Sequence, residues 1–233
     1  EDVRLLCIDV SSEKRYKDRL QILELNVSQE FGFTSLSKDI DLIFHAASPQ
    51  ERKIVLNKPM EVINANINGL QNCLNFLRLQ QIETKKRGRL IVFSSLTIYG
   101  NDFGDKVITL EEKDSNRAGC LSQKTSVYAE SKRISEVIAE AYNRTYDVDF
   151  ITCRLGTIYG FSKNPTKTAF FEFLENAQLG KDLHVKEKFG PKRDNLYIKD
   201  AVKGILFASA FGESTEVFNI SSGGKLNNFL SVG

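Results

Sequence analysis

Three residues of this 233-residue chain have the types and spacing to do chemistry together: Ser95, within Ser94-Ser-Leu-Thr-Ile-Tyr-Gly100, and Tyr128 and Lys132, within Tyr128-Ala-Glu-Ser-Lys132. Tyr128 and Lys132 are four apart in a helix-like stretch, which puts both side chains on one face. A free tyrosine, with a pKa of about 10, is a poor base at neutral pH. A fixed ammonium beside it favours the phenolate and lowers that pKa. Tyr128 could then take a proton from a substrate hydroxyl while a hydride leaves the same carbon. Ser95 could hold the oxygen with a hydrogen bond. This is oxidoreductase chemistry without a metal. Tyr-x-x-x-Lys by itself is common on surface helices, so the surrounding residues decide its meaning.

Those side chains need a scaffold, and the apolar pattern supplies one. Residues 3–9 read as a buried strand ending in Asp9, residues 20–25 as a second and residues 41–47 as a third, closed by Ser48-Pro49. Residues 59–78 predict a long helix with Pro59 in its first turn. Met60, Ile63, Ile67, Leu70, Leu74 and Leu77 form its apolar stripe. A fourth strand at 89–94 precedes a polar loop at 101–122. A helix over 123–145 follows, with Val127, Ser131, Ile134, Ile138 and Ala141 on its inner side and Tyr128 and Lys132 flanking them. Residues 149–154 are a fifth strand. Beyond Gly160 the pattern gives helices at 166–179 and 200–210 (Asp200 near the cap) and short strands at 183–185 and 216–220. Strands alternating with helices predict an α/β fold, a doubly wound parallel sheet. Ligands bind such sheets beyond the carboxyl ends of the strands. Asp9, the stretch from His45 to Ser48, the stretch from Ser94 to Thr97, and Arg154 all fall there.

Composition removes several classes. A net charge of +2 gives no bulk reason for nucleic-acid or membrane binding. No apolar run approaches a bilayer-spanning length, and no signal peptide is visible. Cys7, Cys73, Cys120 and Cys153 are scattered without a Cys-x-x-Cys pair. Disulfides are not expected, and a reducing cytoplasm is. His45 and His184 are the only histidines, and no cluster has metal-ligand spacing.

In order along the chain stand His45-Ala-Ala47, Asn66-Ile-Asn-Gly69, Ser94-Ser-Leu-Thr-Ile-Tyr-Gly100, Tyr128-Ala-Glu-Ser-Lys132, Arg154-Leu-Gly-Thr-Ile-Tyr-Gly160, Arg193-Asp-Asn-Leu-Tyr-Ile-Lys-Asp200 and Val217-Phe-Asn-Ile-Ser-Ser-Gly223. With these stretches the chain resembles the extended short-chain dehydrogenases, the NAD-dependent epimerase/dehydratase group acting on nucleotide sugars. The resemblance implies a Rossmann-type NAD-binding domain over residues 1–160. It implies a small substrate lobe over 161–233, interleaved with the last Rossmann elements. It makes Tyr128 the catalytic base and acid, and Lys132 the holder of the nicotinamide ribose. Ser95 and Thr97 would meet the reacting sugar, and Arg193 the substrate diphosphate, a task that suits a planar, always-charged fork. His45, Ala46, Ala47 and Asn66 would line the dinucleotide. Asp9 would bind the adenosine ribose hydroxyls and so favour NAD over NADP; an N-cap for the following segment is its alternative. Asn26 would approach the adenine or serve as a turn residue. Arg154 reads as a structural ion pair. The long helices imply a homodimer.

Two departures qualify the resemblance. The strand, Gly-x-x-Gly-x-x-Gly loop and helix that open the family and cradle the pyrophosphate do not precede Glu1. Either the chain is a piece of a longer protein, which is the expectation, or the first βα unit is absent. Leu96 and Thr97 also stand where dehydratases carry an Asp-Glu pair and decarboxylases a Glu. Neither is an acid or base, and the Ser-x-Thr pattern looks like sugar 4-epimerases. His45-Ala-Ala-Ser-Pro49 and Tyr128-Ala-Glu-Ser-Lys-Arg133 look more like the decarboxylase and dehydratase branch. The expected function is an NAD-dependent nucleotide-sugar epimerase working through a transient ketosugar. A dehydratase, decarboxylase or reductase is the alternative, and a non-catalytic nucleotide-binding scaffold the rival of another class.

Overall fold

Two runs, Leu90-Ile-Val-Phe93 and Phe150-Ile-Thr-Cys153, lack polar alternation, as a parallel strand covered on both faces requires. The computed structural model describes residues 23–34, 36–100, 109–114, 121–161, 169–182 and 194–223. In chain order they form β1 (Leu42–His45), α1 (Arg52–Asn57), α2 (Pro59–Ile63), α3 (Gly69–Thr84), β2 (Arg89–Ser95), α4 (Ser126–Tyr146), β3 (Asp149–Leu155), β4 (Thr157–Tyr159), α5 (Ala169–Gln178), β5 (Asn195–Tyr197), α6 (Ile198–Phe211) and β6 (Val217–Ile220). β1, β2, β3 and β6 form one sheet in that order, every neighbouring pair parallel. β4 and β5 pair parallel in a second, two-stranded sheet.

The two apolar runs are the sheet's centre: Leu90, Ile91, Val92, Ile151 and Cys153 are wholly buried. One face packs against α3 and α4, where Leu70, Leu74, Leu77 and Ala139 meet Leu90, Val92 and Phe150. The other packs against α6, where Ile205 and Ala208 meet Ile91, Ile151 and Cys153. Helices on both faces of a parallel sheet make the doubly wound α/β arrangement. Its strands deliver His45, Ser95, Leu155 and Ile220 to the same edge. Lys85 and Asp147 close α3 and α4 in the left-handed region (φ 62° and 56°). Their N–H groups cap Gln81 O and Asn143 O at 3.1 and 2.8 Å.

Several expectations need correction. Residues 23–25 carry no strand, residues 20–22 of that expected strand and those at 3–9 and 183–185 lie outside the described residues, and α1, β4 and β5 were not anticipated. The long helix runs to Thr84 and contains a π-helical turn, Asn64–Asn68, between α2 and α3. A π turn takes up about one extra residue. The helix ahead of it is therefore rotated, and Val62, Ala65 and Asn66 face inward. Met60 is exposed, and Ile63 and Ile67 line a groove against α4. On α4 the buried residues are Ser131, Lys132, Ser135 and Ala139, while Ile134 and Val137 face out.

Gln80 on α3 is wholly buried and bonds both backbone groups of Ile40, its Nε2 donating to the carbonyl and its Oε1 accepting from the N–H, each at 2.8 Å. Gln80→Leu leaves both groups without a partner and should lower the unfolding free energy by about 2–4 kcal/mol. Urea denaturation measures this, and an unchanged midpoint would show that Ile40 finds other partners.

Candidate active site

Ser95 ends β2 in extended conformation and caps the 3₁₀ turn Leu96–Tyr99. Its Oγ accepts from Thr97 N at 3.2 Å and from Thr97 Oγ1 at 3.0 Å. Tyr128 stands in the first turn of α4, half-buried. Burial pushes its pKa up, and hydrogen bonding to Ser95 and to Ser48 pulls the other way. Ser48 Oγ is buried, and its contact with Tyr128 falls short of full hydrogen-bond geometry. One turn along α4, Lys132 is 3% exposed. Its Nζ donates to Phe93 O at 2.7 Å and lies 5.9 Å from the Tyr128 ring centroid. The structure thus brings Ser95, Thr97, Tyr128 and Lys132 to one place at the sheet's carboxyl edge.

The tuning differs from the sequence expectation. Lys132 was expected to lower the Tyr128 pKa, yet burial dominates both groups. It raises the tyrosine and lowers the lysine to about 8. At pH 7 the pair therefore rests as phenol and ammonium, the charge distribution of a proton donor.

The residues expected around a dinucleotide divide. His45 is buried, its ring packed so that a Cβ on Gly69 would lie 3.0 Å from its Cε1, with Nδ1 3.9 Å from Cys73 Sγ. Ala46 is exposed and Ala47 buried. Asn66 lies in the π turn. Its Nδ2 donates to Ser131 Oγ at 2.8 Å, and its carbonyl accepts from Ser135 Oγ at 3.0 Å. Three buried polar atoms here, His45 Nε2, Ser48 Oγ and Asn66 Oδ1, have no partner. Orphaned groups beside a half-buried tyrosine and a buried ammonium fit a polar ligand that completes them. Asn26 Oδ1 instead accepts from Ser28 N and Ser28 Oγ at 3.0 and 2.7 Å, the work of a turn residue. Asp9 and Arg193 lie outside the described residues. Cys73 and Cys153 are buried thiols pushed up to about 12, unreactive at neutral pH.

Arg154 forms the expected ion pair, and its partner is Glu136 at 2.7 Å. Sequence reasoning had assigned no role to Glu136 or to Ser94, whose hydroxyl donates to the Glu136 carboxylate. The available signal was spacing, because Glu136 is four residues beyond Lys132 and eight beyond Tyr128, on the same helix face.

The model of the NAD dependent epimerase/dehydratase family matches residues 1–221. An uncharacterized protein of Methanocaldococcus jannaschii is 32% identical over 185 residues, 79% of this chain and 52% of its own length. UDP-glucuronate 4-epimerase 1 of Arabidopsis thaliana is 30% identical over 187 residues, 78% of this chain and 39% of its own length. The chain therefore spans about half, or less, of the length of these curated relatives. Among solved structures, the UDP-glucose 4-epimerase of Thermotoga maritima with UDP-glucose matches with a TM-score of 0.72 at 22% identity, covering 92% of this chain and 67% of that one. A double mutant of the dTDP-glucose 4,6-dehydratase of Streptomyces venezuelae with NAD bound gives 0.75 at 22%, covering 91% and 60%. These structures share the Rossmann-type fold.

His45 titrates with a predictable sign. Burial first and the Lys132 charge second lower its pKa from 6.5 to about 4, with the Ala65 backbone opposing. A lowered folded pKa means that acid favours the unfolded chain. Stability is full above about pH 6.5 and falls as pH drops toward 4. Over that window wild type should lose up to about 3 kcal/mol more than His45→Asn, read as urea midpoints at each pH. Parallel pH profiles would show that His45 charges without cost.

Proposed function

The chain belongs to the NAD dependent epimerase/dehydratase family, and from that premise we propose that it is the core of an NAD-dependent nucleotide-sugar epimerase. The observation that carries this reading is the meeting of Ser95, Tyr128 and Lys132 at the carboxyl edge of the sheet, next to buried polar groups that lack partners. Leu96 and Thr97 follow Ser95 in its turn and offer no acid or base for an elimination. That favours epimerisation over dehydration, as does the resemblance to UDP-glucuronate 4-epimerases.

In this reading Ser95 and Thr97 hold the sugar oxygen, and Tyr128, once its own proton has passed to solvent, takes the hydroxyl proton as phenolate while the carbon gives up hydride. NAD, when bound, would supply the hydride acceptor and donor that an inversion at this carbon requires. Tyr128, a phenol once it holds that proton, then returns it to the sugar oxygen. The buried Lys132 ammonium stabilises negative charge on the phenolate oxygen while the proton is away. Lys132 would also hold the nicotinamide ribose. His45, Ala46, Ala47 and Asn66 would border the dinucleotide, with Asp9 at the adenosine ribose and Arg193 at the substrate diphosphate. A nucleotide sugar epimerised at C4 is the substrate class, with UDP-glucuronate the first to test.

A homodimer is the proposed assembly. Ile63, Ile67, Val127, Ile134 and Val137 line an apolar groove between α4 and the helix ahead of α3. Glu130 and Arg133 border that groove. A two-fold interface sets each of these against the other's copy, so the charges complement one another.

Two experiments test these statements. In the full-length protein, mass spectrometry should find retained NAD and chromatography an isomeric product. Tyr128→Phe should lower kcat by about 10²–10⁴ with NAD still bound. A folded protein with no nucleotide and no turnover on any UDP-, GDP-, CDP- or dTDP-sugar would favour the non-catalytic scaffold. For the dimer, Ile134→Lys with Val137→Glu should give a monomer in sedimentation experiments while wild type runs as a dimer. Identical sedimentation of the two would rule the groove out as the interface.

A further inference from the structure

The sheet places Ser94, Arg154 and Asn219 side by side in one register row, directly before the row that contains Ser95. Glu136 closes this row from α4. Its carboxylate accepts from Ser94 Oγ, from Arg154 Nε at 3.0 Å and from Arg154 Nη2 at 2.7 Å. Arg154 Nη1 turns away to Tyr99 OH at 2.8 Å and to Glu112 O at 2.7 Å. Tyr99 OH in turn donates to Asn219 Oδ1 at 2.7 Å. The Arg154 side chain is 4% exposed and that of Glu136 14%.

A buried ion pair is weak evidence for stability, since packed apolar residues do as well. What it fixes well is geometry. α4 lies against the end of β2 at three successive turns and is hydrogen-bonded to it at two of them, through Lys132 and Glu136. Tyr128 meets Ser95, Lys132 meets the Phe93 carbonyl, and Glu136 meets Ser94. The first two contacts are made by the reacting groups themselves. The third joins the residue next to Ser95 to the helix that carries Tyr128. Because Ser94 and Ser95 are adjacent on β2, the bond between Ser94 and Glu136 resists a rotation of the strand end that would separate Ser95 from Tyr128. We propose that Glu136 is a positioning residue, which acts through Ser94 and Arg154 to set the distance between Tyr128 and Ser95. This rests on the reading of Ser95, Tyr128 and Lys132 as the reacting groups.

The test uses full-length protein and the sugar that wild type turns over, with Ser94→Ala, Glu136→Gln and the double variant. Steady-state kinetics are run well below each variant's melting temperature, and bound NAD is quantified. A misplacement of about 1 Å costs on the order of a hundredfold in rate. Each single variant should therefore lose about ten- to a hundredfold in kcat, with KM within about threefold and NAD content unchanged. The double variant should be no slower than the slower single, because both act through one bond. A purely structural role predicts lower melting temperatures with wild-type kcat. That result, or losses that multiply in the double variant, overturns the proposal. Should Glu136→Gln fail to fold, Ser94→Ala leaves the Glu136–Arg154 pair intact and decides alone. Wild-type turnover with wild-type kcat in Ser94→Ala removes the positioning role only. A folded wild type without NAD or turnover removes the epimerase reading and the positioning role together.

Discussion

An ammonium held inside the protein, with no carboxylate beside it among the described residues, is the constraint around which the site is arranged. Lys132 is 3% exposed, and its hydrogen bond goes to a strand carbonyl. Burial alone brings its pKa down from 10.5 to about 8. That shift corresponds to about 3 kcal/mol of destabilisation of the charged form. A core assembled only for stability would place an apolar side chain there. The fold carries this penalty because both sheet faces bury large apolar surfaces elsewhere, at Leu70, Leu74 and Leu77 on one side and at Ile91 and Ile151 on the other. Sites that bind and react commonly sit where stability is conceded in this way.

The same charge organises its neighbours. His45 stays neutral, partly because a second positive charge beside Lys132 is unfavourable. Tyr128 stays a phenol because its own burial outweighs the bonds that would favour a phenolate. The next side chain in this row of α4, Glu136, lies a turn further along and is matched by Arg154. Among the described residues no acid cancels the Lys132 charge, and a proton leaving Tyr128 has that charge to compensate it. The local sequence matters through periodicity alone: positions 128, 132 and 136 present phenol, ammonium and carboxylate in a row.

Much of this was legible in the chain. β2 and β3, buried on both faces, announce themselves as unbroken apolar runs, and shorter apolar runs mark β1 and β6, so all four were found close to their true limits, as were α4 and α6. The Ser95, Tyr128 and Lys132 set was legible because its spacing is local. The π turn was not, since an extra residue per turn leaves no mark in an apolar pattern and only shows once Val62 is found buried in place of Ile63. Partners across the sheet were equally hidden. Arg154 could be assigned an ion pair, but pairing it with Glu136 and Ser94 needs the register of β2 on β3 and the seating of α4. The short β4 and β5, three residues each, carry too little pattern to be read without one another.

The helix that carries the chemistry reverses the usual division of a surface helix. An amphipathic helix normally turns its aliphatic residues to the core. On α4 the inward residues are Ser131, Lys132, Ser135 and Ala139, while Ile134 and Val137 point away. The cause lies in what the inner face must contact. Small residues let α4 approach the π turn closely enough for Asn66 to bond both Ser131 and Ser135, and a large aliphatic side chain there would force the helices apart. With the first half of its inner face given to hydrogen bonds, and Ile138, Ala139 and Tyr142 packing on the core further along, the helix has Val127, Ile134 and Val137 left on the outside, continuous with Ile63 and Ile67, which the π turn has rotated outward. One irregular helical turn therefore has two effects. It opens a polar seam beside Lys132, and it creates the apolar groove here proposed to receive a second copy of the chain.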